Sequence, residues 1–485
     1  MKPLPIAILL LVGSPVAAAD LPRALPESQG ISSAAIHDFI EAADKSVDSL
    51  HSVMIVRHGH VVAEGWWAPY AAGTRHSLFS LSKSFTSTAV GIAAEEGKLS
   101  VDDPVLKFFP DDAPAEPNAN LKAMRISDLL RMSTGQQTEP PRTAKEAWTK
   151  TFLSHPVPFK PGTHFLYNTS ATYMASAAVR KATGQSLLDY LKPRLFEPLG
   201  IDNPTWEQSP QGISTGGYGL SIRTEDIAKF GQLYLQKGKW NGKQLVPENW
   251  VEAATARQTS NGSNPKSDWD QGYGYQFWRC RNGAYRGDGA FGQYCIVLPE
   301  QDAVIAITAG VRDMQAVLNL VWDKLLPGFT SSKLEAVEAD VAKLKAKMKG
   351  LAIAVPKKFE GKTPDVAGRE FEFPSNDLNL SAVSVDHGGI GFTFAEVKSM
   401  ANLGELNEWT KCKKPFTWGG LKDQTAYSTG NWTSADTFTL KICFVETPFI
   451  ATVRLKFGED TVKIESEMNV GFGATKGMSL TGKRK

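Results

Sequence analysis

The chain has 485 residues, of which 42% are hydrophobic and 21% are charged, and its formal net charge is +2. At roughly 100 to 200 residues per domain, this length predicts two to four domains, and the composition is typical of a folded globular protein. The small net charge and the lack of a dense Lys/Arg stripe argue against nucleic acid as a partner.

Residues 1–19 have the pattern of a signal peptide. Lys2 gives a short basic start, Ile6–Val12 is apolar, and Ala17–Ala19 supply small residues at a cleavage position. The apolar stretch is shorter than the roughly 20 residues of a membrane helix, and no later run approaches that length. We therefore expect an exported protein, periplasmic or secreted, that is cleaved after Ala19 and has no membrane span; an uncleaved anchor is the less favoured alternative.

The four cysteines are compatible with an oxidising compartment. They fall into two local pairs, Cys280 with Cys295 and Cys412 with Cys443. Spacing alone does not decide whether either pair is bonded. No Cys/His spacing indicates zinc, and His58 and His60 stand in two β-like runs that favour a hairpin turn over a ligand pair. We expect no metal and no organic cofactor.

Hydrophobic periodicity predicts a β-hairpin over residues 50–64, and a helix after Ser80 that ends at Gly97. Further helices are expected at Ser127–Met132, Ala171–Thr183, Ser186–Leu195 and Thr224–Lys237. Two apolar runs, 293–298 and 303–308, are typical of adjacent strands covered on both faces. Together these elements predict an α+β fold: an antiparallel sheet flanked by helices, with an inserted helical subdomain.

The composition changes after Phe329. Apolar residues recur every three or four positions in a Lys/Glu-rich background, which predicts one amphipathic helix; they are Leu334, Val337, Val341, Leu344 and Met348. Beyond Phe359 short alternating runs, such as Val453, Leu455 and Phe457, indicate a small β-barrel or sandwich. The predicted domains are therefore a sheet-and-helix domain at 20–330, a linker helix at 331–356 and a β-rich domain at 357–485.

The chemistry begins at Ser80 and Lys83, an SxxK pair. A serine hydroxyl needs a base to become nucleophilic, and helical spacing places a lysine amine beside it, provided that burial keeps the lysine close to neutral. A second SxxK, Ser263 to Lys266, lies in a polar stretch with a proline and indicates a surface loop. Only the first pair opens a helix rich in small residues, Ser84–Ala94, that is suited to burial.

Several motifs in a fixed order surround this pair, over about residues 25–325. They are Gly97–Val105, Ile126–Gly135, Phe165–Thr169, Tyr173 with Thr183–Gly184, Gly219–Gly231 and Gly289–Gln293. In this combination the chain resembles the class C β-lactamase and penicillin-binding-protein-like serine hydrolases. The resemblance implies the β-lactamase/transpeptidase-like fold for residues 20–330.

The resemblance also implies site residues. Ser80 would be the nucleophile, Lys83 and Tyr167 the proton shuttle, and an ammonium near Tyr167 would favour its phenolate. Asn168 or Thr169 would orient the substrate amide. A backbone N–H near Ala290, in the segment after Gly289, would complete an oxyanion hole with that of Ser80.

One departure concerns the Lys-Thr-Gly triplet of β-lactamases and penicillin-binding proteins, which is absent before the late strand. Arg286–Gln293 stand in its place, with Arg286 as a distant substitute for the missing lysine. This favours an ester or a linear amide as the small-molecule substrate over a β-lactam. Trp66 and Trp67, which precede the nucleophile in a polar setting, are candidates for the substrate pocket.

Two rivals to this interpretation remain open at the level of sequence. The first is a true β-lactamase or D-alanyl carboxypeptidase. The second is a non-catalytic binding module on a penicillin-recognising fold, with the C-terminal domain as the working part. The presence of Ser80, Lys83 and Tyr167 together favours an enzyme. The sequence does not decide the oligomeric state.

Overall fold

The computed structural model describes residues 20–47, 49–143, 145–405, 408–413, 416–418 and 421–485. The predicted signal peptide lies outside these residues. The helices are α1 Ser33–Ser46, α2 Ser82–Glu95, α3 Ala119–Ala123, α4 Ile126–Leu130, α5 Trp148–Ser154, α6 Thr169–Thr183, α7 Leu187–Leu191, α8 Glu197–Leu199, α9 Thr224–Leu235, α10 Glu248–Thr255, α11 Met314–Leu320 and α12 Glu338–Lys349. None of these helices combines the length and the apolarity needed to cross a membrane.

The strands up to residue 309 are β1 Leu50–Arg57, β2 His60–Trp66, β3 His76–Ser77, β4 Thr205–Trp206, β5 Leu220–Ile222, β6 Lys239–Trp240, β7 Lys243–Gln244, β8 Trp278–Arg279, β9 Tyr285–Gly289, β10 Gln293–Leu298 and β11 Ala303–Ala309. Six of them form an antiparallel sheet in the order β2-β1-β11-β10-β9-β8. This order brings the predicted hairpin β1–β2 against the predicted pair β10–β11, with Met54 opposite Ala306. The predicted antiparallel sheet with helices is confirmed.

Alternation along the central strands gives the sheet two buried faces. Met54 and Val56 face a cluster that contains Phe85 of α2 and Ile227 of α9. Val53 and Ile55 face a second cluster, formed with α1, α11 and α12. The sheet is therefore covered by helices on both sides, and α2, which carries the SxxK lysine, is inside the molecule.

The predicted linker helix exists, but it is shorter than its apolar pattern. Helix α12 begins at Glu338, so Leu334 and Val337 precede it, and Val337 is 56% exposed. Leu344 packs into the second cluster, and Lys347 forms ion pairs with Glu41 and Asp44 of α1. The helix therefore lies on the surface of the sheet-and-helix region.

The C-terminal strands form a nearly closed antiparallel barrel. They are β12 Glu370–Glu372, β13 Leu380–Asp386, β14 Gly389–Phe394, β15 Val397–Asn402, β16 Thr410–Lys411, β17 Phe416–Trp418, β18 Leu421–Gln424, β19 Ala426–Trp432, β20 Thr437–Phe444, β21 Ile450–Phe457, β22 Thr461–Met468 and β23 Lys476–Arg484. One sheet runs in the order β15-β14-β13-β12-β23-β22-β21-β20-β19-β16. Its two ends meet where Asn402 donates to the Lys411 carbonyl at 2.8 Å.

The barrel is docked on the sheet-and-helix region by shared apolar packing. Cys443, Val445 and Ile450 belong to the same buried cluster as one face of the six-stranded sheet. The Ser77 amide donates to the Glu446 carbonyl at 2.9 Å. Because β3 immediately precedes the Ser80 turn, this contact brings residues 443–450 of the barrel next to the candidate nucleophile.

All four cysteines are buried and free. Cys280 Sγ lies 3.0 Å from a guanidinium nitrogen of Arg286, and Cys412 Sγ lies 3.3 Å from Ser428 Oγ. The local pairs noted in the sequence are therefore not bonded to each other in this structure.

Candidate active site

Ser80 lies in a short 3-10 turn, Phe79–Leu81, that leads into α2. Phe79 has a φ of 47°, in the left-handed region that is uncommon outside glycine and is often found at functional sites. Ser80 lines a cavity of about 1040 Å³. The sequence predicted that Ser80 opens a buried helix. In the structure Ser80 lies in the turn that precedes this helix, because α2 itself begins two residues later, at Ser82.

Lys83 is the group best placed to act on Ser80. Its Nζ lies 3.1 Å from Ser80 Oγ, donates to the Gly217 carbonyl at 2.7 Å and lies 3.3 Å from Thr169 Oγ1. The side chain is 1% exposed, because α2 is rich in small residues and is buried on nearly every face. This burial lowers the pKa of Lys83 to about 7. A large share of the lysine is therefore neutral at neutral pH and able to accept a proton.

Tyr167 lies beside both groups. Its ring centroid is 4.9 Å from Lys83 Nζ, its ring stacks on Trp278 at 5.3 Å, and it lines the same cavity as Ser80. Burial, with a further contribution from Asp288, raises the pKa of Tyr167. The prediction that Tyr167 loses its proton more readily is wrong for this arrangement, because desolvation of the buried ring disfavours the phenolate and Lys83 is only partly charged. Tyr167 is a neutral phenol here.

Strand β9 passes so close to the nucleophile turn that only glycine fits. A Cβ on Gly289 would lie 2.0 Å from the Leu78 carbonyl oxygen and 3.1 Å from the Leu81 nitrogen. A Cβ on Gly287 would lie 2.5 Å from both the Leu81 side chain and Ser84 Oγ. Gly289 and Ala290 also line the cavity with Ser80. The predicted oxyanion segment is therefore at the nucleophile, where backbone N–H groups can stabilise developing charge.

The cavity wall carries more carboxylates than guanidinium groups: Glu139, Glu207, Asp288 and Glu446 against Arg75 and Arg142. Three of the carboxylates are paired, Glu139 with Arg142, Glu446 with Arg75 at 3.6 Å and Asp288 with Arg286 at 2.8 Å. Glu207, which also lines the cavity, forms none of the ion pairs found among the described residues, and burial raises its pKa. The site thus has an acidic balance, which disfavours an anionic substrate group.

Asn168 and Thr169, the two residues predicted as alternatives for orienting the substrate, lie in different surroundings. Thr169 lines the cavity and contacts Lys83. Asn168 is fully buried; its side chain accepts from the Ala171 amide at 3.1 Å as the N-cap of α6 and donates to Gln136. Because its polar atoms are used in this cap, Asn168 has a structural role, and only Thr169 reaches the site.

Three other predicted site residues do not line the cavity. Trp66 packs against the first core cluster at the end of β2, and Trp67 is buried while its Nε1 donates to Asp44 at 2.7 Å. Arg286 has no exposed area; it lies over the Trp269 ring at 4.4 Å and pairs with Asp288. The expectation that Arg286 replaces the missing lysine is wrong, because a buried and paired guanidinium cannot meet a substrate carboxylate. Asp288 lines the cavity instead.

Sequence reasoning missed one whole side of the cavity. Four residues of the C-terminal domain line the cavity, and we call them the barrel wall: Glu446, Thr447, Phe449 and Phe472. We call the residues on the other side the nucleophile wall: Ser80, Lys83, Tyr167 and Gly289. The sequence also did not single out Trp269, although the Arg286 guanidinium lies over its ring. Of these, only Phe472 had a local signal: an aromatic residue between glycines in a polar segment.

Two other motifs, the second SxxK and the His58–His60 pair, lie outside the cavity. The second SxxK, Ser263 to Lys266, is an exposed loop, as predicted. His58 and His60 flank the turn between β1 and β2, also as predicted. Among the described residues, no group of three His, Cys, Asp or Glu side chains is arranged to hold a metal ion.

Comparisons with known proteins agree with this geometry. The chain is 27% identical over 278 residues to the 6-aminohexanoate-dimer hydrolase of Paenarthrobacter ureafaciens. The aligned residues cover 52% of this chain and 70% of that protein. The chain is 25% identical over 235 residues to a β-lactamase of Escherichia coli, covering 43% of this chain and 58% of the relative. The chain thus spans little more than half the length of that second relative.

Among solved structures, that of SurE matches with a TM-score of 0.50 at 15% identity, over 93% of this chain and 99% of SurE. At this identity the likeness concerns the fold alone. The sequence profile described as "Beta-lactamase" matches residues 21–317, which is more than half of the chain. The chain therefore belongs to the β-lactamase family of serine hydrolases.

Proposed function

We propose that the protein hydrolyses an ester or a linear amide through an acyl-enzyme formed on Ser80. The observation that carries this proposal is the 3.1 Å contact between Ser80 Oγ and the Nζ of Lys83, a lysine whose pKa burial lowers to about 7. A hydroxyl beside a partly neutral, buried amine is an activated nucleophile.

The first half of the reaction forms the acyl-enzyme. Neutral Lys83 takes the proton of Ser80 as Oγ attacks the carbonyl carbon, and the N–H groups of Ser80 and Ala290 hold the oxyanion. The raised pKa of Tyr167 keeps its proton in place until the leaving group departs. Tyr167 then passes a proton to the leaving alcohol or amine, and Lys83 replaces the proton on Tyr167.

The second half releases the acid. Water enters the cavity, gives a proton to the same Lys83–Tyr167 pair and attacks the acyl carbon; the proton returns to Ser80 as the ester to the enzyme breaks. The Lys83 ammonium that exists transiently after attack is stabilised by the Gly217 carbonyl at 2.7 Å. No free charge is left at the end of the cycle.

The charges of the cavity favour this substrate class over a β-lactam. A β-lactam antibiotic carries a carboxylate, and the segment that stands in place of the Lys-Thr-Gly triplet brings the carboxylate of Asp288, not a cation, to the cavity. Arg75 and Arg142, the cations that do line the cavity, are paired with Glu446 and Glu139. We therefore expect little turnover of a chromogenic cephalosporin.

The deciding experiment is intact-mass analysis after exposure to a fluorophosphonate. We expect one adduct on the wild type, none on Ser80→Ala, and one on Ser263→Ala, which removes the serine of the second SxxK and is the matched control. An adduct that survives Ser80→Ala, or a wild type that is neither labelled nor active on p-nitrophenyl acetate, would contradict the mechanism and favour a binding module.

A further inference from the structure

The barrel wall brings exposed aromatic side chains to the nucleophile. Phe472 is 79% exposed, more than any other large apolar side chain among the described residues, and it lines the cavity that contains Ser80. Phe472 does not stand alone, because its ring adjoins those of Phe291 and Phe79, and contiguous exposed apolar surface commonly marks a ligand-binding groove. Its position at the mouth of a catalytic cavity indicates that this ligand is part of the substrate.

Phe472 belongs to a cluster that joins the barrel to the catalytic turn. Its ring lies 4.8 Å from that of Phe291 and 5.8 Å from that of Phe79, and Phe449 lies 6.3 Å from Phe79. Phe79 directly precedes Ser80, and Phe291 directly follows Ala290. The apolar surface of the barrel therefore begins within one residue of both the nucleophile and the oxyanion segment.

A second cavity, of about 1000 Å³, lies behind this cluster at the mouth of the barrel. Its apolar lining includes Met468 and Leu480, which pack against the barrel core. Asp377 is the only charged side chain among the described residues that line it, whereas the catalytic cavity has six. The barrel cavity is therefore suited to an uncharged, apolar group.

The two cavities share part of their walls. Leu421 and Phe449 line both of them. A substrate whose carbonyl lies at Ser80 can extend past these two side chains without leaving an apolar surface. A closed or nearly closed barrel of this kind commonly holds a small ligand at its mouth.

We propose that the mouth of the barrel is the apolar subsite of the hydrolase. It takes an extended aliphatic or aromatic portion of an ester or amide whose carbonyl is attacked by Ser80. This inference rests on the proposed function, and it adds a substrate class to it: acyl compounds with a long apolar chain, selected by the C-terminal domain.

The test is the chain-length dependence of ester hydrolysis by the full-length protein. We expect kcat/KM for p-nitrophenyl esters to rise from acetate through butyrate to octanoate, by up to about fourfold for each added methylene that is buried. In Ala474→Trp, which fills the barrel cavity from an exposed position, the ratio of kcat/KM for octanoate to that for acetate should fall at least tenfold. Val397→Trp is the matched control, because Val397 is 46% exposed on the barrel and lines neither cavity.

Failure of this inference differs from failure of the proposed function. Esters that are hydrolysed with a flat chain-length profile, or an octanoate-to-acetate ratio equal in Ala474→Trp and wild type, would overturn the subsite while leaving the hydrolase in place. No hydrolysis of any ester together with no fluorophosphonate adduct on the wild type would overturn the hydrolase. Fluorescence of N-phenyl-1-naphthylamine gives a second readout: binding to Ser80→Ala that is lost when Ala474→Trp is added supports the subsite, and binding unaffected by Ala474→Trp contradicts it.

Discussion

The nucleophile wall and the barrel wall enclose the same cavity, but they are built differently. Lys83 is 1% exposed, and Gly289 leaves no room for a methyl group. Phe472, on the barrel wall, is 79% exposed, and its ring is tilted against those of Phe291 and Phe79. Proton transfer requires fixed distances, whereas binding an apolar chain requires surface. Changes in the nucleophile wall should therefore abolish reactions, and changes in the barrel wall should alter which substrates react.

The comparison is tested most strongly at Lys83. In Lys83→Arg we expect kcat/KM for p-nitrophenyl acetate to fall by about a thousandfold, because a guanidinium keeps its proton and cannot act as the base. Lys266→Arg, at the exposed second SxxK, is the matched control and should retain full activity. More than a tenth of wild-type activity in Lys83→Arg would show that the base lies elsewhere.

Lys83 is also the part of the site that sequence could predict. Its burial follows from the small residues of α2, which allow the helix to be covered on nearly every face. The hairpin β1–β2 and the strand pair β10–β11 were likewise visible as runs of apolar residues. Local patterns of this kind identify the nucleophile wall because its members depend on the helix and strand on which they lie.

The barrel wall could not be predicted, because it depends on how two regions dock. Phe449 gains its position from the packing of Cys443, Val445 and Ile450 beneath the six-stranded sheet. Arg286 was misjudged for a similar reason: its burial depends on Trp269, which is distant in sequence and carries no matching motif. Trp66 and Trp67 were misjudged in the opposite direction. They are close to the nucleophile in sequence, but in the structure they are packing residues that do not line the cavity.

We call the buried pair of His51 and His76, which adjoins Thr447 of the barrel wall, the seam, and we expect it to destabilise the folded protein in acid. His51 Nδ1 lies 3.1 Å from His76 Nε2, and burial lowers the pKa of both rings, that of His76 to about 4. The unfolded chain takes up protons below about pH 6.5. Since the unfolded state binds more protons between about pH 6.5 and 4, stability falls as the pH falls through this window, by roughly 3 kcal/mol at pH 4 for His76 alone.

Urea unfolding between pH 7 and pH 4 measures this loss. His76→Gln keeps a hydrogen-bonding side chain without a titrating ring, so the stability of this variant should fall less steeply with acid than that of the wild type. His58→Gln is the control, because that ring is 43% exposed at the β1–β2 turn. Parallel pH profiles for wild type and His76→Gln would contradict the assignment of acid sensitivity to the seam.

Gly289 tests how much displacement the nucleophile wall tolerates. The added methyl group of Gly289→Ala meets the Leu78 carbonyl, so strand β9 must move away from the Ser80 turn. We expect about a tenfold to hundredfold loss in kcat/KM and a loss of about 1 to 3 kcal/mol in stability. Gly73→Ala is the matched control, since no atom lies within 4 Å of the added Cβ. Equal activity and melting temperature of the two variants would mean that the strand yields without cost.

Substitution of Glu139 has the smallest expected effect, because Glu139 influences Lys83 through its charge. Its carboxylate raises the pKa of Lys83, whereas Arg142, its ion-pair partner, lowers it. Glu139→Gln removes the first influence and leaves Arg142 unpaired, so both changes lower the pKa of Lys83 further. Since kcat/KM needs neutral Lys83, its acid limb, expected near pH 7 in the wild type, should move to lower pH.

The expected difference is therefore largest in mild acid. At pH 6 Glu139→Gln should be a few-fold faster than wild type toward p-nitrophenyl acetate, and at pH 8 the two should be equal, because Lys83 is then neutral in both. Glu116→Gln, an exposed substitution that lines no part of the cavity, should superimpose on the wild-type profile. A limb that moves to higher pH in Glu139→Gln would mean that a group other than Lys83 controls the reaction, because loss of a nearby negative charge cannot raise the pKa of an amine.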